Sequence, residues 1–163
     1  MNNIGIVGHQ KSKFNDITET TAKNIIFSLL KKHNILVSGG CHLEGIDIWA
    51  EEIATEIGIP KERQIIHIPK ILTWSGGYRE RNLKIAKDSD IVNCIVVEKY
   101  PEEYIGMRFD YCYHCYTSNH IKSGGCWTAK QAKKAVWYII KPDGSYYTIP
   151  DKIETFKYIE EYF

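Results

Sequence analysis

The 163-residue chain contains no apolar run near the roughly 18 residues that a membrane-spanning helix needs. Its opening, MNNIGIVGHQ, lacks the basic-then-apolar pattern of a secretion signal. The expectation is therefore a cytoplasmic protein with no membrane partner. Charge of one sign is also missing. Lys+Arg number 21 against 20 Asp+Glu, a net charge of +1, whereas proteins that depend on bulk phosphate attraction usually carry a basic excess. Nucleic acid is thus a disfavoured partner, although a local basic pocket is still allowed. There is no internal repeat, no low-complexity linker, no Walker loop, no Ser-His-Asp order and no paired-carboxylate signature. The five cysteines are odd in number, which in a reducing compartment reads as thiols or metal ligands rather than a disulfide framework.

What is present is ordinary for a globular chain. Hydrophobic residues make up 44% and charged ones 25%, and the length fits one domain over 1–163. Asn3–Gly8 (NIGIVG) suits a buried parallel strand, and Asp16 with Glu19 gives a D-x-x-E capping box for the helix carrying Ala22, Ile25, Ile26, Leu29 and Leu30. Strands follow at Ile35–Ser38, Ile65–Ile68, Ile91–Val97 and Ala135–Ile140. Helices alternate with them: one carries Ile46, Ala50, Ile53 and Ala54, one spans Arg79–Lys87, and one opens at Gly124–Gly125. This rhythm predicts an α/β fold, a Rossmann-like parallel sheet with helices on both faces. Pro142-Asp143-Gly144 between VWYII and SYYTI predicts a terminal antiparallel hairpin. Ile153, Phe156, Ile159 and Phe163 share one face of a predicted C-terminal helix.

Three glycine-bearing loops follow or precede these elements: Gly8-His9, Ser38-Gly39-Gly40 and Ser123-Gly124-Gly125. In an open parallel sheet such loops gather at the carboxyl edge, where ligands bind. Glycine lets the backbone approach an anion, and free N–H groups at a helix start donate to it. Glycines that only permit tight turns are the alternative for any one loop. Residues 98–122 break the rhythm, being too long for an ordinary strand-to-helix connection of about 2–6 residues. This Cys/His-rich insert holds Cys112-x-x-Cys115 and His120, followed by Cys126, a C-x2-C-x4-H-x5-C spacing. Cys112, Cys115, His120 and Cys126 are candidate ligands for zinc, which takes four soft or borderline donors. Reduced thiols packed among Tyr104, Tyr111, Tyr113 and Tyr116 are the competing reading.

Taken in order, VSGG…EGID…A…IA (37–54), YRERN…IA…SDIV (78–92) and SGGCWTAKQAKK (123–134) resemble the SLOG superfamily. It joins the DNA-processing protein A (Smf) domain to the lonely-guy cytokinin-activating hydrolases. The resemblance covers residues 3–140 apart from the insert. Ser38, Gly39, Gly40, Gly45 and Asp47 match its first motif, Arg81 and Asn82 its Arg-Asn helix start, and Ser123, Gly124, Gly125 and Thr128 its last loop. The implied ligand is a nucleotide, nucleoside phosphate or ADP-ribose-like molecule. Arg81 would clamp phosphate and Thr128 would add a hydroxyl. Asp47 would accept from ribose hydroxyls or serve only as a favourable helix-start charge. Homo-oligomerisation is also implied, and the aromatic hairpin and tail (Tyr146, Tyr147, Phe156, Tyr158, Tyr162, Phe163) offer a contact for it or a core of their own.

The chain departs from the lonely-guy hydrolases at one telling place. Gln131 stands where their motif carries a glutamate, and Trp127 replaces its second glycine. An amide cannot act as a general base. The remaining acid/base candidates at strand ends are His9, His42, Glu44, Asp47 and Glu98, and Trp74 beside Ser75-Gly76-Gly77 is placed to cover a nucleobase. The leading expectation is a sensor or sequestering protein for a nucleotide-derived small molecule. Cleavage of an N-glycosidic or phosphate bond is the first alternative, and single-strand nucleic-acid binding the second.

Overall fold

The computed structural model describes residues 2–150. A six-stranded sheet runs in the order β3-β2-β1-β4-β5-β6. Its strands are β1 (Asn3–Gly8), β2 (Ile35–Ser38), β3 (Gln64–Ile66), β4 (Ile91–Val97), β5 (Ala135–Ile140) and β6 (Tyr146–Ile149). The first five are parallel, and β6 returns antiparallel to β5 through the Pro-Asp-Gly turn. This is the expected Rossmann-like arrangement. The C-terminal helix expected from Ile153, Phe156, Ile159 and Phe163 lies outside the described residues, as do Tyr158 and Tyr162.

Alternation along the strands sorts side chains to two faces. Ile4 and Ile6 of β1, Leu36 of β2, and Ile95 and Val97 of β4 face one core. The apolar stripes of α1 (Asp16–Leu29) and α2 (Ile46–Glu56) cover it. On the opposite face, Val7, Val37, Val92, Cys94 and Val96 pack with α3 (Arg79–Asp88) and α4 (Gly124–Gln131). Cys112 and Cys126 belong to this second core and are fully buried there. Among the described residues no helix is long and apolar enough to cross a membrane.

Local chemistry moved some boundaries. The capping box of α1 is formed by Asn15 and Thr18, not by Asp16 and Glu19. Asn15 accepts from the Thr18 amide at 2.8 Å, and the Thr18 hydroxyl accepts in return from the Asn15 amide at 3.0 Å. Asp16 is already inside the first helical turn, where a carboxylate interacts favourably with the helix dipole but does not cap. β3 ends at Ile66 rather than Ile68, two residues earlier than its apolar run suggests. The segment Trp74–Tyr78 forms a π-helical turn that leads directly into α3.

The chain reverses its order about β1: β2 and β3 lie on one side, β4 and β5 on the other. Loops leaving β1 and β4 diverge here and open a crevice at the carboxyl edge. The insert begins and ends beside this point. The Glu98 amide donates to the Ile140 carbonyl and the Ile121 amide to the Val97 carbonyl, at 2.8 and 3.2 Å. On the other side of the crevice, α4 sits almost on the backbone of β1. A Cβ at Gly125 would lie 2.9 Å from the Gly8 nitrogen, whereas one at Gly124 would meet nothing within 4 Å. Gly125→Ala should therefore lever α4 off β1 and destabilise the fold by about 1–3 kcal/mol. Gly124→Ala, by contrast, should leave stability unchanged or raise it by up to about 1 kcal/mol through helix propensity. Urea unfolding of the two variants checks this, and equal losses would overturn the close-packing account.

Candidate functional site

The crevice is a cleft of 430 Å³. One wall is the end of β1 with Gly8 and His9, together with Lys13 beyond it. The floor carries Asp47 of α2 with Arg81 and Asn82 of α3, and the far wall is Ser123, Gly124, Gly125 and Thr128. Trp74 and Tyr78 form a third side, and the insert closes the fourth with Tyr104, Met107, Phe109 and Lys122.

Most of the residues singled out by sequence thus meet in one place, but their roles differ. Ser38, Gly39 and Gly40 do not line the cleft; they lie behind it. The Ser38 hydroxyl donates to the Ile6 carbonyl at 3.4 Å, and the Gly39 carbonyl accepts from Arg81 Nη1. A Cβ at Gly39 would collide with that guanidinium and lie 2.9 Å from Asp47 Oδ2. The second glycine loop is therefore a seat for Arg81. Held there, with Nε donating to Asn82 Oδ1 at 2.8 Å and Cζ over the Tyr78 ring, Arg81 lines the cleft beside Asp47. The Asn82 amide NH2 makes no hydrogen bond within the described residues.

His9 is buried and fully engaged by backbone. Its Nδ1 accepts from the Val97 amide at 3.1 Å, so Nε2 carries the proton and donates to the Ile121 and Lys122 carbonyls at 3.2 and 3.1 Å. Burial, reinforced by the Lys13 charge, pushes its pKa down to about 3. A neutral ring with both nitrogens occupied ties strands to loop rather than shuttling protons. Asp47 is the opposite case. Burial pushes its carboxyl up to about 6, against the pull of Arg81 and of the Cys41 amide that donates to it at 3.2 Å. The Thr128 hydroxyl is 3.5 Å from the Gly124 carbonyl of its own helix. His42 and Glu98 do not line the cleft; Glu44 does, at its exposed edge, in an ion pair with Lys11 at 3.6 Å of the kind that contributes little.

Two lysines went unnoticed in the sequence. Lys13 lies 5.5 and 5.1 Å from the centroids of Tyr100 and Tyr104, which stack on each other at 4.7 Å. Lys122 lies 5.2 and 5.3 Å from Phe109 and Tyr113. Neither ammonium has a carboxylate partner among the described residues. Burial, and next the Lys122 charge, lower the pKa of Lys13. The signal available in sequence was the aromatic spacing of the insert, which cation–π contacts exploit. Trp127, the residue that departs from the family motif, packs edge-to-face on Trp74 at 4.7 Å and supports it at the rim.

Beside the cleft, Cys112, Cys115, His120 and Cys126 bring their ligand atoms within 4.8 Å of one another. A tetrahedral site with Zn–S distances of about 2.3 Å needs its sulfurs about 3.8 Å apart, so the cluster is compatible with a metal such as zinc. A small antiparallel bridge between Cys112 and Thr117 shapes the C-x2-C turn. His120 is prepared in the manner of a metal ligand: Nδ1 donates to Asn119 Oδ1 at 2.5 Å, leaving the Nε2 lone pair aimed at the sulfurs, 3.2 Å from Cys126 Sγ. The Cys112 thiol is held far below its ordinary value by S–H groups of Cys115 and Cys126, whose own values are driven up. The same four ligand atoms could close around one cation once Cys115 and Cys126 give up their protons to it.

No family model, curated protein or solved structure matches the chain.

The two buried titrations act on stability with opposite sign. Unfolded His9 takes a proton near pH 6.5 while folded His9 resists to about 3, so it withdraws stability as pH falls below 6.5. Asp47 titrates near 6 when folded and 3.8 when unfolded, so it withdraws stability as pH rises between those values. The stability deficit of His9→Gln should shrink by up to about 1.4 kcal/mol per pH unit as pH falls from 6.5 towards 4. Asp47→Asn should gain more over wild type at pH 7.5 than at pH 4. Urea titrations across that range test both, and variant curves parallel to wild type would refute the assignment.

Proposed function

We propose that the cleft binds a nucleotide-derived small molecule through its phosphate, holding it intact as a sensor or sequestering protein would. The observation that carries this reading is uncompensated positive charge. Lys13, Lys122 and Arg81 line one cleft with the amino end of α4; its carboxylates are Asp47, beside Arg81, and Glu44, paired with Lys11, so neither cleft lysine has a carboxylate partner among the described residues. Such a set favours an anion of two charges or more. Trp74, 45% exposed at the rim, supplies a flat apolar surface suited to a base, and Asp47 and Asn82 suit ribose hydroxyls. The SLOG resemblance of the three motifs supports the same class of ligand.

The hydrolase reading now rests on Asp47, whose raised pKa and position in the cleft are those of a general acid or base. His9 contributes no free nitrogen to it. Nothing comparable favours a single-strand groove.

The ion we assign to the Cys3His cluster is zinc. With four protein ligands the coordination is closed, so its role is structural. A site of this kind contributes on the order of 10 kcal/mol of apparent folding free energy, against roughly 0.5–1 for each exposed cation–π contact. The metal therefore dominates the ordering of residues 98–122.

Native mass spectrometry of the purified chain, followed by calorimetric titration with nucleoside mono- and diphosphates and ADP-ribose, tests these assignments. One zinc per chain and an intact nucleotide-sized ligand are expected. Lys13→Ala and Lys122→Ala should each weaken binding about tenfold, equivalent to about 1.4 kcal/mol, and Arg81→Ala by at least as much. Release of free base or phosphate, abolished by Asp47→Asn, would favour the hydrolase instead. Failure of every nucleotide to bind would sink both.

A further inference from the structure

The candidate anion-binding loop lies between two of the metal ligands. His120 and Cys126 bracket Ile121, Lys122, Ser123, Gly124 and Gly125, and their ligand atoms come within 3.2 Å of each other. This short arc brings the Lys122 ammonium and the Gly124 amide to the cleft, while the Ser123 hydroxyl and carbonyl already accept from the Gly125 and Cys126 amides at 3.1 and 3.2 Å. The other two ligands act on the same arc from outside. Cys112 and Cys115 belong to the turn whose neighbours Phe109 and Tyr113 flank the Lys122 side chain. One ion would thus close the loop across its base and hold the rings that orient its lysine.

We infer that metal occupancy of the Cys3His cluster sets the affinity of the cleft for its phosphate-bearing ligand, making the zinc a regulator of that site as well as a brace for the insert. This rests on the anion-binding reading given above. The physical reason is preorganisation. Without the cross-link, Lys122 and the Gly124 amide must be ordered at the expense of ligand binding, and that ordering penalty appears directly in the dissociation constant. By linkage, the ligand must tighten the metal by the same factor.

The test uses AMP and ADP-ribose as probes. Their dissociation constants are measured by calorimetry on the zinc-loaded chain, on the chain stripped by a chelator under reducing conditions and desalted, and after return of one equivalent of zinc. Stripping should weaken binding at least tenfold, and zinc should restore it. Cys115→Ser, at the half-buried ligand, should resemble the stripped chain, whereas Lys122→Ala should keep its zinc and lose affinity. Circular dichroism verifies that the stripped sheet and helices persist. Should they not, the reciprocal measurement still decides: saturating AMP should tighten zinc in competition with a chromogenic chelator. Unchanged nucleotide affinity after stripping, or unchanged zinc affinity with AMP bound, would overturn the coupling while leaving the anion site intact. A loaded chain that binds neither probe would overturn the anion site itself, and a chain that takes up no zinc would overturn the metal assignment.

Discussion

A neutral imidazole in a dry place holds the carboxyl edge of this protein together. His9 follows directly on β1, and its ring reaches the last amide of β4 on one side and two consecutive carbonyls of the loop before α4 on the other. Those three segments belong to different parts of the chain and would otherwise present unpaired backbone groups in the interior, where each is costly. Because the ring is neutral it donates with one nitrogen and accepts with the other; protonated, it would lose the Val97 contact. The crevice, the seating of α4 and the exit of the insert all depend on that pairing. The same constraint removes His9 from the list of proton-transfer groups and leaves Asp47 as the titratable group of interest.

Charge at the site is arranged by aromatics rather than by counter-ions. A lysine held over stacked tyrosines, and another between a phenylalanine and a tyrosine, keep their orientation without being neutralised. A carboxylate in either place would satisfy the ammonium and cancel its field in the cleft. Arg81 differs: its hydrogen-bond partners are a carbonyl and an amide oxygen, but the buried Asp47 carboxyl lies close enough to feel its charge. A chain of net charge +1 can therefore hold two unneutralised lysines on one cleft.

Local pattern was enough to read the sheet. β1, β4 and β5 are short, continuous apolar runs with glycine or turn residues at their ends, and periodicity alone delimits them. The Cys3His set was legible for a similar reason: a C-x2-C turn has few uses, and spacing reports it. What local pattern does not carry is which loop faces which. Ser38-Gly39-Gly40 and Ser123-Gly124-Gly125 look alike as strings, yet one seats an arginine and the other lines the cleft. The difference arises from α3 packing against β2, a long-range contact. Lys13 and Lys122 were hidden for the same reason, since each acquires its meaning from rings far along the chain or folded back upon it. His9 looked like chemistry because of where it falls, and only its tertiary partners reveal a strut.

The paired backbone anchors at the two ends of the insert, Glu98 on Ile140 and Ile121 on Val97, have an evolutionary consequence. A segment that leaves and re-enters a sheet at neighbouring points can be lengthened, shortened or exchanged with little penalty to the framework, because the closure entropy grows only slowly with loop length. The insert brings the Cys3His cluster with it and contributes one side of the cleft. The shape of that side is thus a modular property, free to diverge among descendants of one sheet while the strands beneath remain as they are.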